Sequence, residues 1–244
     1  MLGKLKEHLY SALLPQQCAC CRANLATIRN SNTCDACWQA TTIYDGSESI
    51  CDRCGVIVAA SSKTHDVHCW QCDGHHYERA RAVGTYENAL ATAVIGLKTT
   101  PKLSSRAAGL LLWAFQQNGF ENVSLIVPVP LSKRRKIERG FNQAEVIADA
   151  LARGTRIKVD PNSLTRIQHS PIHRIGMDRK ARDLSVKDAF RVVRPKLLDG
   201  QSVLVVDDVF TTGATVSYCA KALLKCGARS VNVLTLARAM PGKF

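Results

Sequence analysis

Residues 203–216 read Val-Leu-Val-Val-Asp-Asp-Val-Phe-Thr-Thr-Gly-Ala-Thr-Val, and this stretch determines the fold that we expect. Its first four residues are aliphatic, without polar alternation, which is typical of a strand covered on both faces in a parallel sheet. Asp207 and Asp208 follow at the carboxyl end of that strand, where open α/β sheets bind their ligands. The stretch therefore predicts a buried parallel strand that ends at a binding site.

The residues after the two acids are typical of a turn that binds an anion. They are Thr211, Thr212, Gly213, Ala214 and Thr215. Hydroxyl groups and free backbone N–H groups at the start of a helix favour an anion, as does the positive end of the helix dipole. A helix is expected to follow, because apolar residues recur at helical spacing from residue 216 to residue 224.

The run from Val203 to Thr215 resembles the 5-phosphoribosyl-1-pyrophosphate (PRPP) fingerprint of type I phosphoribosyltransferases. The resemblance implies that Asp207 and Asp208 contact the ribose hydroxyls and that the Thr-rich turn surrounds the 5′-phosphate. Two adjacent acids beside a phosphate can also hold Mg²⁺ through water. Purine-salvage members of that superfamily carry an acid where this chain has Thr211, so a 6-oxopurine acceptor is not expected.

Eight of the eleven cysteines form four pairs, each with two residues between the thiols. This spacing lets both sulfurs of a pair point inward from a tight turn toward one tetrahedral ion. Twelve residues separate the first two pairs and fourteen separate the last two, which predicts two tandem ribbons with structural zinc. The predicted metal ligands are Cys18, Cys21, Cys34, Cys37, Cys51, Cys54, Cys69 and Cys72.

A disulfide framework is the alternative interpretation of these pairs. It is disfavoured because residues 1–14 lack the cleavage site of a signal peptide, and reducing compartments keep thiols free. Cys20 is interpreted as a spare thiol, and nearby histidines such as His75 as residues not needed for coordination. Since the paired cysteines end at residue 72, we expect one domain at residues 1–77 and a second at residues 78–244.

The chain between the cysteines and the fingerprint alternates between predicted strands and predicted helices. Strands are expected at residues 80–86 and 123–130, and helices near residues 90–97 and 104–118. This alternation favours an α/β fold with a Rossmann-like parallel sheet. With the fingerprint, we expect a sheet of the type I phosphoribosyltransferase kind, preceded by a small N-terminal zinc-ribbon domain.

Positive charge is concentrated in the second predicted domain. The chain of 244 residues has a formal net charge of +13, with −1 in residues 1–77 and +14 in residues 78–244. A site for strongly anionic PRPP accounts for part of this charge, and a nucleic-acid backbone accounts for more. Charge alone does not choose between these partners.

Hydropathy predicts no transmembrane segment, because no apolar run reaches the roughly 18 residues that cross a bilayer. A cytoplasmic location is therefore expected. Residues 1–14 predict an amphipathic helix with a stripe of leucines. The stripe is expected to pack on the protein itself, and peripheral contact with a membrane or a partner protein is the alternative.

A second informative segment follows the strand predicted at residues 123–130. Four consecutive cations, Lys133 to Lys136, and then Arg139 are predicted to line a loop, with a helix beginning near Asn142. A loop with so much positive charge repels itself unless anions lie against it. In the phosphoribosyltransferase plan this is the pyrophosphate loop, and a solvated run of charges is the alternative.

The cysteine pairs, Pro-Val-Pro-Leu-Ser at residues 128–132, Glu-Arg-Gly-Phe-Asn-Gln at residues 138–143 and the fingerprint together resemble the ComF family of competence proteins. The resemblance covers nearly the whole chain and implies DNA uptake in natural transformation, with other DNA-uptake proteins as candidate partners. It adds Lys98, Ser132 and Lys133 to the residues expected to bind PRPP. It also implies that residues 166–182 form a mobile hood over the site.

Two functions follow from this resemblance. In the first, the protein binds PRPP and Mg²⁺ for DNA uptake, with single-stranded DNA as a candidate partner. In the second, it is an active phosphoribosyltransferase with a non-purine acceptor. Transfer would displace pyrophosphate, with Asp207 and Asp208 steadying the ribose and Arg139 among the cations that stabilise the leaving group. No residue stands out as a base toward the acceptor.

Overall fold

The structure is a computed structural model, and it describes residues 15–58, 69–167 and 189–240. The strands are β1 (Ala80–Thr85), β2 (Leu125–Pro128), β3 (Lys158–Val159), β4 (Leu164–Arg166), β5 (Phe190–Val192), β6 (Ser202–Phe210) and β7 (Ser230–Arg238). The α-helices are α1 (Asp35–Gln39), α2 (Asn88–Gly96), α3 (Ser105–Gln117), α4 (Lys133–Arg139), α5 (Gln143–Thr155) and α6 (Ala214–Lys225). Short 3₁₀ helices lie at Ile28–Asn30, Trp70–Cys72 and Pro195–Leu197.

Five strands form one parallel sheet in the order β1-β7-β6-β2-β3. The chain passes from β2 through α5 to β3 in one direction across the sheet, and from β6 through α6 to β7 in the opposite direction. The direction therefore reverses between β2 and β6, and such a reversal opens a crevice at the carboxyl ends of the strands. The predicted α/β fold with a parallel sheet is confirmed.

Two apolar layers cover the two faces of this sheet. Successive strand residues point to opposite faces, so Val203 and Val205 of β6 join the layer that contains α6, whereas Leu204 and Val206 join the layer of α3 and α5. The cysteines also divide between the faces. Those of residues 51–72 belong to the α6 layer, and those of residues 18–37 belong to the α3 and α5 layer.

Strand β6 is longer than the sequence predicts. We expected it to end at Val206, but it continues to Phe210, because β7 provides backbone partners as far as Arg238. Pairing with β2 ends earlier, at Pro128 and Val206. The two acids therefore lie within the last part of the strand and not after it.

The loop predicted at Lys133–Arg139 is instead the helix α4, so that prediction was wrong. The side chain of Ser132 caps its first turn by accepting a hydrogen bond from the backbone N–H of Arg135. Arg134 pairs with Glu138 one turn later at 2.6 Å. Gly140 ends the helix with a φ of 76°. These local interactions outweigh the repulsion between the consecutive cations.

Strands β4 and β5 form a separate antiparallel pair, and the buried carboxylate of Asp160 holds its base. Asp160 accepts hydrogen bonds from the backbone N–H groups of Asn162 and Ser163 and from the Ser163 hydroxyl. It also pairs with Arg194, which follows β5, at 2.8 Å. The residue before β4, Ser163, and a residue after β5, Arg194, thus both bind the carboxylate of Asp160.

Two predicted segments lie outside the described residues, namely the N-terminal helix at residues 1–14 and most of the hood, residues 168–182. Among the helices that the structure does describe, none has the length and apolar character needed to cross a membrane.

Candidate anion-binding site and cysteine clusters

Segments that follow three strands meet at one edge of the sheet. Strand β2 leads to Ser132 and α4, and β6 leads to Thr211–Thr215, which we call the anion turn. Strand β1 leads to α2 and then to Lys98. Because the strands are parallel, their carboxyl ends lie at the same edge.

Asp207 and Asp208 lie just beyond the point where β2 stops pairing with β6. On their other side the ladder with β7 continues. Successive residues of a strand point to opposite faces, so the two carboxylates diverge. Asp208 therefore lies on the same face of the sheet as Leu204 and Val206, and Asp207 lies on the same face as Val203 and Val205.

Asp208 is close enough to Lys98 and Arg139 for both cations to stabilise its carboxylate. Burial nevertheless raises the pKa of Asp208. A hydrogen bond from the backbone N–H of Val209, at 2.7 Å, and the two cations oppose this rise. Burial also raises the pKa of Tyr86, and the charge of Asp208 adds to that effect. The structure thus brings together three predicted site residues that are far apart in the sequence.

Asp207 lies on the α6 side of β6. Its carboxylate accepts a hydrogen bond from the backbone N–H of Asp208 at 2.9 Å. Cys219 of α6 is fully buried, which raises its pKa well above the ordinary value, and the charge of Asp207 adds to this while Arg166 opposes it. Cys219 is therefore a neutral thiol in the core.

Gly213 shapes the anion turn. Its φ of 81° lies in the left-handed region, and it forms the N-cap of α6. A Cβ at this position would lie 2.6 Å from the Phe210 ring and 2.8 Å from the His75 ring. Thr212 accepts a hydrogen bond from the backbone N–H of Ala214 at 3.4 Å. The turn thus places the start of the 12-residue helix α6 at the crevice, where its first N–H groups favour an anion.

Arg139 differs from the other cations of α4. It is half-buried, whereas Lys133, Arg134, Arg135 and Lys136 are exposed. Helix α4 buries none of its residues fully. One side of the helix therefore places Arg139 within electrostatic reach of Asp208, and the rest forms a basic surface open to solvent.

The cysteines form two clusters. The first cluster is Cys18, Cys21, Cys34 and Cys37, and the second cluster is Cys51, Cys54, Cys69 and Cys72. Within each, the four sulfurs lie within 4.8 Å of one another. Hydrogen-bonded sulfur pairs are 3.8 Å apart in the first cluster and 3.4 to 3.6 Å apart in the second. Tetrahedral zinc with Zn–S bonds of about 2.3 Å places sulfurs about 3.8 Å apart, so both clusters fit a closed zinc site.

The first cysteine of each cluster lies in surroundings that favour its thiolate form. Burial opposes ionisation of Cys18 and Cys51, but nearby backbone N–H groups outweigh it and lower the pKa of each to about 6. The N–H of Cys34 donates to the Cys18 sulfur at 3.2 Å, and the N–H of Cys69 donates to the Cys51 sulfur at 3.3 Å. Thiolates are the form that binds zinc. No disulfide joins cysteines in the described part of the chain, which does not support the disulfide alternative.

Two contributors to the site carry no sequence signal for their role. The sequence offers His75 only as a spare ligand near the fourth cysteine pair, yet its ring packs on Gly213. Arg238 at the end of β7 is buried, with its guanidinium 4.4 Å from the centre of the Phe210 ring. Both roles arise from packing between distant segments, which no local motif indicates.

Two family models match the chain. One is described as a double zinc ribbon domain and matches residues 9–73, and the other as a phosphoribosyl transferase domain and matches residues 142–243. The first match and the two cysteine clusters together support structural zinc. Among solved structures, glutamine PRPP amidotransferase from B. subtilis is 17% identical, covers 58% of this chain and 30% of that chain, and gives a TM-score of 0.38. With this TM-score, the structural similarity is too low to support an argument about the protein.

Curated relatives align with nearly the whole chain. DNA utilization protein YhgH from Escherichia coli K12 is 30% identical over 235 residues, covering 93% of this chain and 99% of that protein. Competence protein F from Haemophilus influenzae is 28% identical and covers 91% and 97% of the two chains. Competence protein ComFC from Bacillus subtilis is 26% identical and covers 84% and 90%. Since this similarity extends over both the double zinc ribbon and the phosphoribosyltransferase domain, the protein belongs to the ComF family.

Proposed function

We propose that the protein serves in DNA uptake during natural transformation and binds PRPP with Mg²⁺ in the crevice between β2 and β6. Membership of the ComF family supports the first part, because relatives include Competence protein F and Competence protein ComFC. The second part is carried by one observation: the charges of Lys98 and Arg139 act on the carboxylate of Asp208, which precedes the anion turn by three residues, where the strand order reverses. A carboxylate between cations suits a ligand that is itself anionic and bound to magnesium.

Each part of PRPP has candidate donors in the crevice. The N–H and hydroxyl groups of Thr211–Thr215 would surround the 5′-phosphate. Asp207 and Asp208 would hold the ribose hydroxyls and, through water, Mg²⁺, which prefers such oxygen donors and neutralises the pyrophosphate. The pyrophosphate would bind Arg139, Lys98, Lys133 and the Ser132 hydroxyl.

Replacing both acids tests this site. The double variant Asp207→Ala with Asp208→Ala should abolish PRPP binding, because it removes the ribose and magnesium donors together. Isothermal titration calorimetry with Mg²⁺ and PRPP measures the effect. Asp149→Ala is the control, since Asp149 is an exposed acid of α5. Undiminished binding by the double variant would show that the fingerprint is not the PRPP site.

A second candidate function is phosphoribosyl transfer to a non-purine acceptor. The position of Arg139 beside Asp208 favours it, because a cation there would stabilise pyrophosphate as its bond to C1 of the ribose breaks. The new bond forms between C1 and the acceptor, whose proton is released to solvent. A pyrophosphate-release assay with nucleobases, amines and nucleic acids tests this function, and no release above spontaneous hydrolysis for any class would contradict it.

Helix α4 is the surface that we assign to single-stranded DNA. Arg134 pairs with Glu138 and Lys136 pairs with Glu145 at 3.3 Å. Lys133 and Arg135 are exposed, and within the described residues neither forms an ion pair. Cations in this state are available for phosphate contacts, which release counterions and make affinity depend on salt.

Reversing the two available charges tests the DNA surface. Lys133→Glu with Arg135→Glu should weaken binding of a labelled oligothymidylate and reduce the slope of log affinity against log salt by roughly 0.7 for each phosphate that is no longer neutralised. Fluorescence anisotropy at several salt concentrations gives both quantities. Arg134→Ala with Glu138→Ala is the matched control, because it removes one charge of each sign from the same helix. Equal affinities for the two double variants would exclude α4 as the contact surface.

A further inference from the structure

The segment after the last cysteine of the second cluster forms one wall of the anion turn. His75 packs its ring against Gly213, where an added Cβ would lie 2.8 Å from the ring carbon Cε1. The Nδ1 atom of His75 lies 2.6 Å from the Tyr77 hydroxyl, which fixes the orientation of the ring. The backbone N–H of His76 donates to the Ser217 hydroxyl in the first turns of α6 at 3.1 Å. The cluster and the turn are thus joined by a few consecutive residues.

Arg238 forms a second link between the second cluster and the anion turn. Its guanidinium lies 4.4 Å from the centre of the Phe210 ring, and that ring in turn packs on Gly213. The guanidinium also donates to the Cys54 carbonyl oxygen and lies 3.5 Å from the Cys54 sulfur. One side chain therefore contacts both a cysteine of the cluster and the residue that precedes the turn.

The charge of Arg238 requires compensation. The residue is 4% exposed, and no carboxylate pairs with it in the part of the chain that the structure describes. A buried cation without a counter-charge is strongly destabilising. Among the described residues, the hydrogen bonds of its guanidinium go to the carbonyl oxygen and the sulfur of Cys54. The second cluster therefore holds Arg238, and through it Phe210, in place.

An arginine also contacts residues next to the first cluster, but it lies on the other face of the sheet. Arg106 of α3 pairs with Asp35 of α1 at 3.0 Å and lies 5.1 Å from the centre of the Trp38 ring. Trp38 belongs to the layer on the face of the sheet opposite to α6. Each cluster thus has an arginine contact at it or next to it, but only the second cluster adjoins the anion turn through contacts between described residues.

We propose that the second cluster, and not the first, positions the anion turn. Cys54 of the cluster binds the guanidinium of Arg238, which lies against Phe210, while the segment after the cluster places His75 against Gly213. Phe210 and His75 then enclose Gly213 and fix the turn in the shape that receives a phosphate group. His75 and Arg238 are positioning residues, because they act on the turn through Gly213. The proposal rests on the proposed function only where it identifies the phosphate as that of PRPP.

The experiment compares Arg238→Met with Arg106→Met in the full, zinc-loaded chain. Each variant removes one guanidinium that attaches a cysteine cluster to the rest of the fold. We expect Arg238→Met to weaken Mg²⁺-PRPP binding roughly tenfold, a common size for coupled sites. We also expect faster amide hydrogen exchange at residues 211–217. Arg106→Met should change neither quantity, and Arg238→Lys should restore part of both.

If Arg238→Met does not fold, His75→Ala replaces it in the experiment, because this variant removes only the ring that packs against Gly213. The same increase in hydrogen exchange is expected. Unchanged hydrogen exchange at residues 211–217 in the folded variants would overturn the proposal. Equal changes in Arg106→Met and Arg238→Met would also overturn it, because they would indicate a general loosening of the fold. If the unmodified protein does not bind PRPP, the proposed function fails, while the exchange comparison still decides whether the second cluster positions the turn.

Discussion

Asp208 is a residue at which folding and the proposed PRPP binding make opposite demands. Burial raises the pKa of its carboxyl group, although Lys98 and Arg139 oppose the rise. An acid whose pKa is higher in the folded than in the unfolded state lowers the free energy of unfolding as pH rises through that interval. The charge of Asp208 therefore costs stability at neutral pH, as is common for residues retained for function.

We predict that Asp208→Asn raises the melting temperature at neutral pH and weakens Mg²⁺-PRPP binding. The amide removes the half-buried charge, and its oxygen can still accept the hydrogen bond from the backbone N–H of Val209. The difference in melting temperature should disappear as pH falls, because the carboxyl group is then neutral in both states. Thermal unfolding between pH 4 and 8 and calorimetry measure the two effects. A lower melting temperature for the variant at neutral pH would contradict this account of Asp208.

Gly213 offers a second prediction at the same scale. Gly213→Ala should destabilise the protein by about 2 kcal/mol or more, since it adds steric overlap to the cost of a left-handed backbone. The added methyl group would meet Phe210 and His75. Gly46→Ala is the matched control, because Gly46 has a φ of 92° and open space around its Cβ position. Urea denaturation compares the two, and equal losses would show that crowding at Gly213 is unimportant.

At the scale of elements, the β4 and β5 pair depends on Asp160. Burial favours protonation of this carboxyl group, but hydrogen bonds from Ser163 and Asn162 and the charge of Arg194 outweigh burial and lower its pKa. A depressed pKa contributes stability that is present above the unfolded-state pKa and is lost as pH falls through the folded-state pKa. Asp160 therefore stabilises the base of the pair at neutral pH and fails to do so in acid.

We predict that Asp160→Asn lowers the free energy of unfolding by about 1–3 kcal/mol at neutral pH, because buried hydrogen bonds lose a charged acceptor. The loss should shrink below the ordinary pKa of 3.8, where the native carboxyl group becomes protonated. Arg194→Met should cost less, since this arginine is partly exposed. Urea titrations at neutral and acid pH measure both variants, and a loss for Asp160→Asn that does not change with pH would contradict the assignment.

The sequence predicts some elements better than others for physical reasons. The buried run of β6 is local and was predicted, but its extension to Phe210 depends on partners in β7 that are distant in the sequence. Because the strand extends past them, Asp207 and Asp208 lie on opposite faces of the sheet. If the strand ended at Val206, the two acids would not have to lie on opposite faces. Helix α4 is not evident from the sequence, because repulsion between its consecutive cations disfavours a helix, whereas the cap from Ser132 and the Arg134–Glu138 pair stabilise one.

At the scale of the whole molecule, the family was predicted from the four cysteine pairs, the motifs at residues 128–132 and 138–143 and the fingerprint, and the parallel sheet from the alternation of strands and helices. The spacing of the cysteines also predicts which four residues share each cluster. The placement of the clusters on opposite faces of the sheet could not be predicted, because it depends on packing against segments that are distant in the sequence. The boundary at residue 77 stays a prediction.

The position of β7 has a consequence for synthesis of the chain. In the five-stranded sheet the neighbour of β1 is β7, which is the last strand, and Arg238 contacts Cys54 across 184 residues. At about 5–20 residues per second, β1 is synthesised roughly eight to thirty seconds before β7. During this interval the edge of β1 that β7 will cover has no strand beside it, and such edges promote aggregation. Premature termination just before β7 would therefore leave an incomplete sheet that is a substrate for chaperones and proteases.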